Sequence, residues 1–154
     1  MMERKVKVIA KNRKAYHDYI IVQSLETGIV LQGTEVKSLR NGKCSLQDAY
    51  AGFTDSRSDE LFIINMHIAP YEQGNIYNHE PKRKRKLLVT QREAVKLRTA
   101  VSEKGLTLIP LSIYFNGRFV KLEIALVKAK KKYDKREAEK KKDADKEIRK
   151  KFRI

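Results

Sequence analysis

The densest chemistry-bearing stretch of the chain is Lys82-Arg83-Lys84-Arg85-Lys86, five adjacent cations. Such a run repels itself, whereas an array of phosphates would neutralise it all at once. A second cluster, Asn12-Arg13-Lys14-Ala15-Tyr16-His17-Asp18-Tyr19, sets cations beside aromatic rings. That mixture suits RNA, because the cation neutralises phosphate while the ring stacks on a base. A third group lies in Leu25 to Lys43, reading LETGIVLQGTEVKSLRNGK. At helical spacing Lys37 and Arg40 share one face while Val36 and Leu39 share the other, and Lys43 closes the stretch. Each group suits contact with a polyanion. Read from the residues alone, the second is equally an ordinary polar entry loop with Tyr19 in the core, and the third a structural helix cap with solvated charges.

Other chemistries are poorly provided for. The chain has no Gly-rich phosphate loop, no nucleophile elbow and no carboxylate cluster suited to a metal. Its three histidines fall in separate segments, and His17 has no second histidine or cysteine at ligand spacing. No catalytic set, metal, cofactor or small-molecule substrate is therefore expected. A basic nuclease would need the scattered Asp18, Glu26 and Asp48 to converge. A ribosomal or nucleoid protein acting by charge alone would bind every RNA alike.

The composition agrees. The 154 residues carry 35 Lys+Arg against 19 Asp+Glu, a formal net charge of +16, and 41% hydrophobic content allows one domain-sized core. No apolar run approaches the ~20 residues of a spanning helix, and no signal-peptide pattern follows the N-terminus, so no membrane partner is expected. The single cysteine, Cys44, excludes an intramolecular disulfide and fits a reducing, cytoplasmic setting. Its place at a strand start suits a small core hydrophobe. Charge is uneven: residues 128–154 hold 14 basic and 6 acidic residues, half the net charge of the chain. That composition shift sets a boundary just after Val127, giving a lead-in over 1–10, a domain over 11–127 and a basic tail over 128–154.

The elements that must position these groups follow from periodicity. Residues 1–10 read as a frayed lead-in that finishes as an edge strand at Val6-Lys7-Val8. Ile20-Ile21-Val22 is a strand that turns at Glu26-Thr27-Gly28 into the buried run Ile29-Val30-Leu31. Gly33-Thr34 starts a helix with Glu35 in its first turn, and Asn41-Gly42 stops it. Strands over 45–53 and 61–68 follow; in the second, Phe62, Ile64, Met66 and Ile68 make one oily face. Leu87-Leu88-Val89 anchors the basic run to the core. Thr90-Gln91-Arg92-Glu93 is a capping box opening a helix to about Lys104, with Ala94, Leu97 and Val101 as its stripe and Gly105 as its stop. Strands over 106–115 and 119–127 flank Asn116-Gly117, a hairpin signal, and Pro110 must lie on an edge or at a bulge. Six strands with short helices and no βαβ alternation make a mainly β, α+β architecture; the pattern alone leaves a small closed antiparallel barrel and an α+β sandwich level.

GTEVKSLRNGK closely resembles the signature of the SmpB family, SsrA-binding proteins that partner transfer-messenger RNA in bacterial ribosome rescue. NRKAYHDY, IAPYEQG, PKRKRKLLVTQRE, GLTLIPLSIYFN and KKKYDKR resemble family segments in the same order, over roughly Lys11 to Arg136. The resemblance implies a barrel related to the OB fold, gripping the tRNA-like part of transfer-messenger RNA as a non-catalytic, monomeric adaptor in trans-translation. It implies RNA-facing roles for Asn12 and His17, and it turns Glu26, by itself a solvated turn carboxylate, into a specificity contact. Leu88 joins the RNA contacts on the same basis.

The tail cannot fold alone, since Tyr133, Ile148 and Phe152 are nearly its only large apolar residues. Acid-to-base pairs four apart, such as Glu137–Lys141 and Asp145–Arg149, make it coil when free and helix against an anionic wall. By resemblance it enters the empty mRNA channel of a stalled ribosome near the decoding centre, using Lys128, Lys130, Lys131, Tyr133, Asp134, Lys135, Arg136, Ile148 and Phe152. Two residues depart from the family pattern. Ala129 replaces a usual glycine, which predicts a stiffer exit, as a helix from Ala129 onward, and Tyr133 replaces a usual histidine.

Overall fold

The computed structural model describes residues 6–55, 57–74 and 78–130. Its elements are β1 (Val6–Lys11), α1 (Arg13–Asp18), β2 (Tyr19–Ile29), α2 (Gly33–Arg40), β3 (Cys44–Ser45), β4 (Tyr50–Phe53), β5 (Leu61–Ile64), β6 (His67–Ile68), β7 (Arg85–Leu88), α3 (Gln91–Lys104), β8 (Thr107–Asn116) and β9 (Phe119–Ala129). Their pairings are antiparallel. Neighbours run β8–β4–β5–β7–β2–β9, and β9 pairs back onto β8, so the strands close as a ring with β1 added along β8. A mainly β chain with short helices is the class that the sequence pattern indicated, and the closed ring agrees with the barrel that the family resemblance implied.

Two apolar clusters hold it. The larger fills the ring with Ile29, Leu61, Ile63, Leu87, Leu108, Ile113, Leu122 and Ile124, and receives Leu39 from α2 and Leu97 from α3. A smaller cluster lies on the other face of β8 and β9, where Ile109, Leu111, Ala125 and Val127 surround Ala15 of α1. One strand can serve both because a bulge between Pro110 and Ser112 shifts the phase of β8. Pro110, which has no N–H to give a ladder, sits at that irregularity as expected.

Several sequence expectations are corrected. Arg13–Asp18 is a short helix rather than a polar loop; six residues cannot be helical unaided, and burial of Ala15 against β8 and β9 supplies the stability. No turn occurs at Glu26-Thr27-Gly28. β2 runs straight through, pairing Glu26 with Glu123, Thr27 with Leu122 and Gly28 with Lys121, and Thr27 Oγ1 donates to Leu122 O at 2.8 Å. Gly28 is needed for close approach instead, since a Cβ there would meet Leu88 Cβ at 3.2 Å. Val30, expected in a buried strand, lies beyond the end of β2 and is exposed.

The strands over 45–53 and 61–68 are each split by one left-handed residue, Asp48 (φ 60°) and Asn65 (φ 65°). Asn65 reverses the alternation, so the buried set is Leu61, Ile63, Met66 and Ile68, and Phe62 and Ile64 fall outside it. The hairpin turn is Gly117-Arg118, one residue later than expected. Asn116 still pairs with Phe119, and Gly117 at φ 63° is the glycine-first arrangement of a type II′ turn. α3 matches its expected capping box and its stop at Gly105.

The expected boundary after Val127 is too early. β9 continues through Ala129, which pairs with Tyr19, and the Lys130 backbone N–H donates to Asp18 O at 3.1 Å. Ala129 therefore ends a strand and begins no helix, because its backbone partners lie across the sheet in β2. Lys131, Tyr133, Asp134, Lys135, Arg136, Ile148 and Phe152 lie outside the described residues.

Candidate nucleic-acid interface

The outer face of the ring gathers groups far apart in sequence. Asn12 is pinned at its rim: its backbone N–H donates to Leu111 O at 2.8 Å and its side chain donates to Pro110 O at 2.9 Å. This fixes α1, on which Arg13, Lys14, Tyr16 and His17 are exposed. A cleft of about 430 Å³ opens between α1 and β8, lined by Lys11, Asn12, Arg13, Tyr16, Leu111 and Ser112. A second, of about 440 Å³, separates α1 from the segment Cys44 to Ala49 and includes Lys11, Arg13 and Lys14. His17 Nδ1 lies 2.9 Å from Asp18 Oδ1.

Next along β8, Ser112 pairs with Glu123, and Glu123 pairs across β9 with Glu26. Two carboxylates directly opposite repel one another. Tyr114 answers part of that charge by donating its phenol proton to Glu26 Oε2. Burial, this hydrogen bond and the nearby charges of Glu26 and Glu123 all push the Tyr114 pKa up, so the phenol stays protonated and remains a donor. Glu26 keeps acceptor capacity toward solvent, which an RNA base edge can use. Beyond it the row Leu88–Gly28–Lys121–Tyr114 crosses four strands. Leu88 is 54% exposed over Gly28, so it anchors nothing in the core; Leu87 does that, at 1% exposure.

The basic run does not present five equivalent, mutually repelling cations, as the sequence alone suggests. Arg85 and Lys86 already belong to β7, and alternation along a strand sends successive side chains to opposite faces. Arg85 is fully buried: its Nε donates to Glu35 Oε2, Nη1 to Met66 O at 2.7 Å and Nη2 to Pro81 O at 3.0 Å. Arg83 donates from Nη2 to Glu35 Oε1 at 2.5 Å with its side chain 29% exposed. Arg85 is thus withdrawn from phosphate contact and Arg83 is largely engaged, because a buried carboxylate needs both cations. Lys82, Lys84 and Lys86 remain exposed.

Glu35 does more than face a helix dipole. It accepts from the Gln32 N–H at 2.8 Å, closing the first turn of α2, and locks α2 onto β7. Burial raises its pKa, but the hydrogen bonds from Arg83, the Gln32 backbone and Arg85 outweigh that and hold the carboxyl below its ordinary value. α2 then presents Lys37 and Arg40 outward, as the helical spacing predicted. Lys37 Nζ sits 5.4 Å over the Tyr71 ring, and Lys43 Nζ lies 3.3 Å from the exposed Glu72. Burial pushes the Cys44 thiol up to about 12, which fits a packing role. Among the described residues no three His, Cys, Asp or Glu side chains gather as a metal site.

Sequence reasoning missed Tyr114, Lys121 and Glu123. Alternation between Ile113 and Phe115 does place Tyr114 outward, but nothing local marks a partner 88 residues away. It also missed His79, which is buried in the loop before β7, 2.8 Å from Thr34 Oγ1 and 2.9 Å from Ile68 O.

Comparison with known proteins agrees with this arrangement. The family model for SmpB protein matches residues 9–154. An SsrA-binding protein from Carboxydothermus hydrogenoformans is 55% identical, covering 96% of this chain and 97% of its own length. One from Geobacillus kaustophilus is 52% identical, with 96% and 93% covered. A solved chain described as "tmRNA-SmpB: a journey to the center of the bacterial ribosome" is 47% identical, with a TM-score of 0.66 over 84% of this chain and 92% of its own. With relatives matching from one end to the other, the chain belongs to the SmpB family.

Proposed function

We propose that this protein is a non-catalytic, cytoplasmic RNA-binding adaptor of trans-translation, holding transfer-messenger RNA by its tRNA-like domain and delivering it to stalled ribosomes. The observation that carries the reading is the match over residues 9–154, spanning both the ring and the basic tail, to a family whose members are SsrA-binding proteins. The geometry supports it. Arg13, Lys14, Lys82, Lys84 and Lys86 supply phosphate contacts, with Lys37 and Arg40 on α2 and Lys43 just after it, while His17, Leu88 and Glu26 meet bases. Glu26 in particular accepts a hydrogen bond, which lends specificity where lysines lend only affinity. Residues 131–154 are assigned to the empty mRNA channel, reporting the absence of message.

Binding of the full chain to transfer-messenger RNA and to an unrelated structured RNA of equal length, at one salt concentration, tests this. A preference of at least tenfold, about 1.4 kcal/mol, is expected. Equal affinities would leave a protein acting by charge alone.

A further inference from the structure

Beside the interface just described, starting one residue before Glu26 on β2, α3 and the bulged part of β2 enclose a groove. One part, of about 220 Å³, is lined by Gln23, Ser24, Leu25, Arg92, Lys96 and the core side chains beneath them. A second, of about 270 Å³, shares Gln23, Lys96 and Leu126 with it and extends past Val22 to Lys104 and Leu106. The two adjoin at these shared residues, side by side along α3. The groove opens because the register of β2 against β9 shifts between Ile21 and Gln23, lifting the strand there.

The two walls differ. The floor is apolar: Leu97, Leu108, Ile124 and Leu126 are all buried core residues that show one surface to the groove. The helix wall is cationic. Helical rise sets Lys96 about 6 Å beyond Arg92 along the axis and Lys104 about 12 Å beyond that. Among the described residues none of the three makes a hydrogen bond or ion pair with a side chain. The one acid in the lining, Glu93, is engaged in the helix cap, accepting from the Thr90 N–H at 2.9 Å. Like charges four residues apart, as in Arg92 and Lys96, weaken a helix unless an anion sits between them. On the strand wall Gln23 and Ser24 are exposed, offering an amide and a hydroxyl at the rim.

A row of unanswered cations over an apolar floor with a polar edge fits single-stranded RNA, with its phosphates on the helix and an unstacked base on the floor. We propose that the α3–β2 groove is a second RNA site, taking one single-stranded segment. Arg92, Lys96 and Lys104 hold its backbone, and the Gln23 amide reads the edge of the inserted base.

The test uses the full chain saturated with the tRNA-like domain of transfer-messenger RNA, so that the first interface is filled. A fluorescent ten-nucleotide single-stranded oligouridine is then titrated in. Lys96→Glu combined with Lys104→Glu should weaken decamer binding at least tenfold. It should lower the log–log salt slope by about 1.4, from two contacts at about 0.7 each on a single strand. Affinity for the tRNA-like domain should stay within twofold. In the unmutated chain, a decamer carrying 4-thiouridine should crosslink within residues 22–25 or 92–104. Decamer affinity unchanged within twofold, or crosslinks confined to residues 131–154, overturns the proposal. So does tighter binding in the groove by a ten-residue polyglutamate than by the decamer, which would make the occupant an acidic peptide.

Discussion

Replacing Glu35 with alanine removes a carboxylate that faces two guanidinium groups, and one of those, Arg85, has no exposure to solvent at all. Arg83, 29% exposed, can swing toward water, but Arg85 is held by Met66 O and Pro81 O and would stay buried with its charge unanswered. Breaking a buried pair from one side costs about 3–5 kcal/mol. A domain of this size loses roughly 3–5 °C of Tm per kcal/mol, so Glu35→Ala should melt roughly 10–25 °C lower. Circular dichroism melts and urea unfolding of the purified full chain measure both quantities. The pair Glu35→Leu with Arg85→Met removes both charges together and should recover most of the loss. The acid limb follows from the depressed Glu35 pKa. A carboxyl that is harder to protonate folded than unfolded stabilises the fold above its unfolded pKa, about 4.3. That contribution fades as pH falls through the folded value. The stability gap between the unmutated chain and Glu35→Gln should therefore be widest near neutrality and narrow below about pH 4. A loss under about 1 kcal/mol in Glu35→Ala would refute the reasoning, since only a hydrated Arg85 tolerates so small a change.

The interface supplies the rest. Replacing Lys82, Lys84 and Lys86 with alanine should weaken binding to all RNAs alike and flatten the salt slope by about 0.7–0.9 per phosphate contact, with Tm hardly moved. Arg85→Ala should lower Tm instead, and salt titrations beside melts separate the two. Glu26→Ala should weaken binding to transfer-messenger RNA selectively with little change in slope, and Tyr114→Phe should do so more mildly by freeing the Glu26 carboxylate; equal losses on an unrelated RNA would remove the specificity role. Truncation after Lys130, which leaves β9 and the Lys130 contact with Asp18 intact, should keep transfer-messenger RNA binding within about tenfold yet abolish peptide tagging on stalled ribosomes.

The sequence by itself determined the elements whose signals are local. The capping box at Thr90 and Glu93, the stop at Gly105 and the two faces of α2 depend on residues three or four apart, and they stand where the spacing put them. The excess of Lys and Arg likewise named the partner class without any fold. What only the tertiary structure decided depends on partners distant in the chain. Lys82 to Lys86 reads as five equivalent cations until β7 lies over α2, 50 residues away from Arg85 in sequence, and Glu35 draws two of them inward. Thr27-Gly28 reads as a turn because glycine permits one, and only the approach of Leu88 shows that the missing Cβ was needed for packing. Asn65 flips a strand whose alternation looked unbroken, since a single left-handed residue reverses every side chain after it. Glu26 looked solvated because Tyr114, which orients it, is 88 residues away and reaches it only when β2, β9 and β8 lie side by side. Local spacing sets which conformation a segment prefers, but the burial of a charge or the need for a glycine depends on what packs against it, and that neighbour is chosen by the closed ring.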